Sequence, residues 1–397
     1  MYCLWGMTAL MIVASGRFKL SFLFTWFLFI GVVIAESIAH PFAVVCDVSV
    51  ILCGALFCIL VKGSQVNYRR IVKCLTVCGL IVSLCVIIDT STGLFRVYLI
   101  DLYTNWAKSM KLGLQRSGGI LLQTGSAGGY IYSGVAAYIT HRRINGKGLK
   151  RIDCWIAIAM FGLSALMIGK RGFILDSALA ILFIKVIQIR KKDLLRYKIR
   201  RILQGAAWVL LIAFVVIVLY WQVDIVRESV DAMIERFASE DGSYSGRTDL
   251  YLFAFTLFRG HYLKGIGWGQ YRKKTTGFFG VADATYAAHN VYIQLLCETG
   301  ILGLCAFLIA AVSTLVFVVK KYRKMLHTGS TGPGKAVMEL GCFLQVFFLA
   351  YCMHGNPLYD YNFCITYFMG ILLTVITVPG RVSRASIHKG LLRLERL

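Results

Sequence analysis

Two residues at the head of an apolar run carry the first chemical signal in the chain. His289 and Asn290 stand in AAHNVYIQLLCETGILGLCAFL, directly after the longest polar segment and before a run long enough to cross a bilayer. A free imidazole titrates near pH ~6.5, so at a junction with water it is suited to taking a proton from a hydroxyl. A histidine that merely holds a helix start against its loop gives the same sequence. Asn290 fits two roles, capping the helix or orienting the ring.

The second signal is cationic. Lys170 and Arg171 interrupt an apolar stretch, SALMIGKRGFILDSALA, where charge is costly, and Gly169 and Gly172 bracket them so that the backbone can bend tightly. Snorkelling side chains in a plain turn are one reading. Binding of an anion is the other, and it is favoured because a basic pair on the outer side opposes the usual charge bias of membrane proteins. A guanidinium donates two parallel hydrogen bonds to phosphate and stays ionised at any working pH. Arg171 and Arg247 therefore make a candidate diphosphate clamp. Arg247 follows Ser245 and Gly246, a pattern that suits the N-terminus of a helix, although alone it reads as an ordinary solvated charge.

GIGWGQYRKK, residues 265–274, has glycine at every second position before a basic cluster. It lacks the strand-then-helix context of a dinucleotide fingerprint and reads as a bent loop, with Tyr271 and Arg272 as weaker candidates for touching sugar or phosphate. No DxD, HxxH or HxxE pattern falls in an outer connector, so no metal ligands and no cofactor are expected. No GxSxG or P-loop occurs either, which removes the commonest hydrolase and ATPase readings.

What positions these residues is a membrane bundle. The chain of 397 residues is 58% hydrophobic and 16% charged, with a mean hydropathy of +0.70. The expected fold is an all-α polytopic membrane protein of about eleven spans (10–12), each of ~17–25 apolar residues. The spans are placed near 2–14, 20–36, 42–61, 74–90, 118–140, 154–169, 172–188, 203–220, 289–318, 337–353 and 363–379. The first, short run has no basic residues before it and reads as a retained helix rather than a signal peptide. No internal repeat of fixed period is seen, so residues 1–397 form one membrane domain.

The net charge of +24 is explained by where the charges lie. Of the 43 Lys and Arg, 28 fall in the connectors 17–19, 62–73, 141–151, 190–201 and 320–335 and the tail from 381, all on one side if the chain alternates. This is the pattern of cytoplasmic loops and leaves no reason to infer nucleic acid. One large extracytoplasmic loop runs between Trp221 and Ala288, with 8 basic and 8 acidic residues. Within it DIVRESVDAMIERFAS, 224–239, has the period of an amphipathic helix, and RTDLYLFAFTLFRGHYLKG resumes a helical pattern after EDGSYSG. A second outer segment, 91–115, suits an interfacial helix or a plain connector. The 13 cysteines lie in or near apolar spans with no CxxC pair, so neither zinc nor a disulfide framework is expected.

Over about 75 residues, GRTDLYLFAFTLFRGHYLKGIGWGQY and AAHNVYIQLLCETGILGLCAFL resemble the signature region of the O-antigen ligase and polymerase superfamily. Arg247, the Gly265, Gly267 and Gly269 turn, His289, Asn290, Glu298, Gly300 and Gly303 occupy the positions of its motif, and GKRGFIL at 169–175 is similar to its earlier arginine segment. The resemblance implies a C-type glycosyltransferase-like fold in the bacterial inner (cytoplasmic) membrane. It implies an undecaprenyl-diphosphate-linked oligosaccharide as donor, a glycan or lipid-linked acceptor, and metal-independent, inverting transfer on the outer face. It assigns diphosphate binding to Arg171 and Arg247 and acts on the acceptor hydroxyl through His289 as general base.

Within that reading a polysaccharide polymerase is preferred, because no residue points to a lipid A core acceptor, with an O-antigen ligase as the alternative. A chain-length regulator is a further expected partner. The competing class is a flippase or transporter of lipid-linked sugar, which needs charges lining a path through the bundle. The spans offer few of these beyond Asp47, Asp176, Lys185, Glu298 and Glu339.

Overall fold

The computed structural model describes residues 21–36, parts of 51–58, 67–99, 118–146, 152–189, 244–278, 285–328 and 332–377, with isolated positions at 199, 203, 221 and 227. Among the described residues every regular element is helical. In chain order these are α1 (Ser21–Glu36), α2 (Tyr68–Thr92), α3 (Leu94–Leu99), α4 (Thr124–Ile144), α5 (Ile152–Ile168), α6 (Arg171–Gln188), α7 (Tyr244–Arg259), α8 (Gln270–Lys274), α9 (Val291–His327), α10 (Pro333–Tyr351) and α11 (Tyr361–Ile376). Three of them, α2, α9 and α10, are long and apolar enough to cross a membrane, and α1, α5 and α11 contain shorter apolar helices.

Helix ends follow local chemistry. The Asn67 side chain caps α2 by accepting from the Arg69 N–H at 2.9 Å, and Gly93 ends that helix in the left-handed conformation. Asp360 caps α11 through the Asn362 N–H, and Pro333 opens α10, where its missing donor costs nothing.

Small residues let the helices approach closely. Gly79 of α2 faces Gly134 of α4 so tightly that a Cβ on the first would sit 2.6 Å from the Cα of the second. On α4, Gly128 and Gly129 leave room for the rings of Phe173 and Phe363, which stack on each other, with Phe347 stacked on Phe363, in the buried centre of the bundle. Trp26 of α1 donates from its indole Nε1 to the Thr314 hydroxyl of α9 at 3.0 Å.

The bundle has two chemically different ends. At one, Glu339 at the start of α10 accepts from Tyr322 and Gln188, both at 2.9 Å, and pairs with Arg143, joining the ends of α4, α6 and α9. The opposite end gathers the starts of α4, α6, α9 and α11 and the close of α10.

The helices lie close to the expected spans wherever those residues are described, but the span expected over 289–318 differs. It extends to His327 and is broken at Gly300 (φ 64, ψ −167), conformational space that is nearly reserved for glycine. The expected spans 2–14 and 203–220, most of 42–61, and the amphipathic segment 224–239 lie outside the described residues, apart from Leu203 and Arg227. Of the expected interfacial segment, α3 is described as a short helix and the part beyond residue 99 is not described.

Candidate functional site

The site is built around the broken helix. Where α9 interrupts at Gly300, the carbonyls of Cys297 and Glu298 accept from Ile266 N at 3.0 Å and Gly267 N at 2.8 Å, and Ile301 N donates to the Tyr262 carbonyl at 2.9 Å. The loop before α8 thus satisfies backbone groups that the break leaves free. A Cβ on Gly265 would collide with the Glu298 backbone, and one on Gly300 with the Leu263 carbonyl. All three glycines of the turn at 265–269 have positive φ, which explains their alternate spacing.

The buried Glu298 side chain fixes the same turn. Its carboxylate accepts from Gly269 N at 2.9 Å, Tyr271 N at 3.2 Å, the Tyr359 hydroxyl at 2.8 Å and Gln294 Nε2 at 3.2 Å. A buried carboxylate needs such partners, and four donors meet its two oxygens. Gln294 in turn accepts from Ala288 N at 3.2 Å and from Asn356 Nδ2 at 2.7 Å. One polar chain therefore runs from the glycine turn to the residue before His289 and to the loop between α10 and α11.

His289 itself sits in the left-handed conformation at φ 53, uncommon for a side chain larger than glycine. The next residue, Asn290, caps α9: its Oδ1 accepts from Tyr292 N at 3.0 Å and Ile293 N at 3.1 Å, while its Nδ2 donates to the Met353 carbonyl at 3.0 Å. Of the two roles the sequence allows Asn290, its described bonds are those of a cap. Val291 N donates to the Cys352 carbonyl at 2.9 Å, which locks this corner to the end of α10.

His289 is exposed, yet protein crowds around it on its other sides. That desolvation, followed by the positive charges of Lys170, Arg247 and Arg272, pushes its pKa down to about 4. The ring is therefore neutral at physiological pH and lies within the field of three cations.

The structure brings together residues from four separate stretches. Lys170 is the second of two residues joining α5 to α6, so the basic pair does occupy a tight turn; Arg171 is the first residue of α6. Arg247 lies in the first turn of α7, exposed, and Arg272 lies exposed on α8. Lys170, the lesser candidate of its pair, is the one whose charge acts on His289.

Tyr271 requires a correction. It is fully buried, and its hydroxyl donates to the Leu250 carbonyl at 2.7 Å, so it props α7 against α8 rather than offering a contact to sugar or phosphate. Burial also raises its pKa, as expected for an enclosed phenol.

Two groups at this end escaped the sequence reading. His354 Nε2 lies 3.0 and 2.9 Å from the two carboxylate oxygens of Asp176, and Asp360 accepts from the Ser126 hydroxyl while capping α11. The signal for the first pair was an aspartate inside an apolar run, which demands a partner. Among the described residues no three His, Cys, Asp or Glu side chains form a metal-ligating cluster.

Residues 155–308 match the family model of O-antigen ligases. No curated protein matches the chain. The matched region, under half of the chain, is similar to O-antigen ligases. It contains Lys170, Arg171, Asp176, Arg247, Arg272, His289, Asn290 and Glu298 and stops before His354.

Proposed function

We propose that the protein joins glycans at the membrane, moving a glycan from an undecaprenyl-diphosphate donor to a sugar hydroxyl, as a polysaccharide polymerase in a C-type glycosyltransferase-like fold. The observation that carries this reading is the convergence of Lys170, Arg247 and Arg272 on His289 at one end of the bundle. A cationic site beside a neutral imidazole suits a reaction whose leaving group is a diphosphate and whose nucleophile must lose a proton.

In the transfer, the acceptor hydroxyl oxygen attacks the anomeric carbon as the bond from that carbon to the diphosphate oxygen breaks. The electron pair leaves with the diphosphate, whose growing charge Arg171 and Arg247 offset by forked hydrogen bonds. The hydroxyl proton passes to His289, and attack opposite the leaving group inverts the anomeric centre. Placing this site on the outer face of the inner membrane rests on the distribution of basic connectors.

The test is reconstitution with an undecaprenyl-diphosphate-linked oligosaccharide and no energy source. A ladder of lengthening lipid-linked glycans supports the polymerase. A product only when lipid A core is supplied supports the O-antigen ligase alternative. Movement of the donor across the bilayer without joining sinks both and supports a flippase.

A further inference from the structure

Three cations disfavour the protonated form of His289, so this ring can receive a proton but is poorly suited to keeping it. A second imidazole at the same end has the opposite surroundings. His354 follows Met353, whose carbonyl binds the Asn290 side chain, so the two histidines flank one backbone contact. The His354 ring lies over Gly172, where any Cβ would collide with it, and its edge meets Tyr351 at 5.2 Å between ring centroids. Its Nε2 faces both oxygens of Asp176, which is buried, while 33% of the His354 side chain remains exposed.

A carboxylate bonded to one imidazole nitrogen fixes the ring and its tautomer and stabilises the imidazolium, leaving the other nitrogen to accept. The elements packed here bring few other charges. Lys170, just before α6, and Arg171, its first residue, precede Gly172, and Tyr351 lies within electrostatic reach of Asp176, Asp360 and Arg247. Asp176 is the charge in direct contact with the ring.

We propose that the His354–Asp176 pair is the terminal proton acceptor of the reaction, taking over from His289 the proton that the acceptor hydroxyl releases. This rests on the glycan-transfer reading above. The hydroxyl O–H breaks as the new glycosidic bond forms and the bond to the diphosphate breaks; the proton moves to His289 and from there, through intervening water, to Nδ1 of His354. Asp176 is a positioning residue that neutralises the resulting imidazolium, and Nδ1 then releases the proton to water, which the partial exposure of the side chain admits.

The test measures donor binding, single-turnover transfer and pH–rate profiles for His289→Gln, His354→Gln, the double variant and Asp176→Asn, with undecaprenyl-diphosphate-linked oligosaccharide as the probe. His354→Gln should slow transfer by about 10²-fold or more while changing the donor Kd by less than about 3-fold. The double variant should lose no more than the worse single variant, because residues acting in one relay are not additive. Asp176→Asn should slow transfer toward the level of His354→Gln while changing the donor Kd by less than about 3-fold, since the ring then loses the acceptor that orients it. Near-wild-type transfer by His354→Gln, or additive losses in the double variant, overturns the relay. If His354→Gln fails to bind donor, Asp176→Asn decides, and near-wild-type transfer by that variant overturns it. A wild-type protein that binds donor but never joins glycans removes the proposed function itself, a separate result because no rate is then left to profile.

Discussion

The carboxylate of Glu298 accepts the backbone N–H of Gly269 at 2.9 Å across 29 residues of sequence, and so ties the broken helix α9 to the glycine turn that leads to Arg272. Glu298→Ala would leave the Gly269 and Tyr271 N–H groups and the Tyr359 hydroxyl without their acceptor, at about 3 kcal/mol or more in total. Gly300→Ala adds a side chain where φ is 64 and the Leu263 carbonyl already fills the space, at about 1–3 kcal/mol of backbone strain plus the collision. Thermal melts in detergent check both, and a wild-type melting point for Glu298→Ala would show that the turn is held by something else.

The cations separate by their chemistry. Arg171→Lys and Arg247→Lys keep the charge but lose the fork, and each should lose most transfer, on the order of 2–5 kcal/mol, if the diphosphate is held by paired hydrogen bonds. Arg272→Ala should be milder. Donor binding and transfer measured side by side give the answer, and unchanged activity in both lysine variants removes the clamp.

The charge environment of His289 predicts a specific pH response. With its pKa at about 4, below the ordinary imidazole value, the ring is neutral in the folded protein down to mildly acidic pH. Its contribution to stability is present above the unfolded value of ~6.5 and is lost as pH falls from there through about 4. Arg272→Ala removes one repelling charge and should raise the pKa of the ring. Following the pH dependence of its reaction with a histidine-selective acylating reagent reports the shift, and no upward movement would contradict the geometry.

His289→Ala should bind donor yet transfer it ~10²- to 10⁴-fold more slowly. His289→Gln distinguishes chemistry from architecture, because glutamine can restore a hydrogen bond but cannot take the proton. Full transfer by the glutamine variant would leave His289 with a structural role only.

Topology is open to a direct check. Cysteines introduced in 239–246 should react with a membrane-impermeant reagent in intact cells, and cysteines introduced in 190–201 should not. Labelling of the second set would place the site on the cytoplasmic side.

Sequence alone determined the helical, membrane-embedded character of the chain, because hydrocarbon imposes long apolar runs that composition and charge distribution reveal. It also marked His289, Arg171, Arg247 and the glycine turn, whose unusual residue types stand out against an apolar background. It offered Tyr271 as a contact to sugar or phosphate, since a tyrosine beside a basic cluster gives no sign of which way its ring points. Tertiary structure alone decided that α9 breaks at Gly300, that Glu298 binds a turn 29 residues away, and that Lys170 acts on His289. The pairing of His354 with Asp176 spans 178 residues, a separation no local pattern encodes. Such contacts form only when helices distant in sequence pack side by side, and there the cost of burying a carboxylate selects the partner that relieves it.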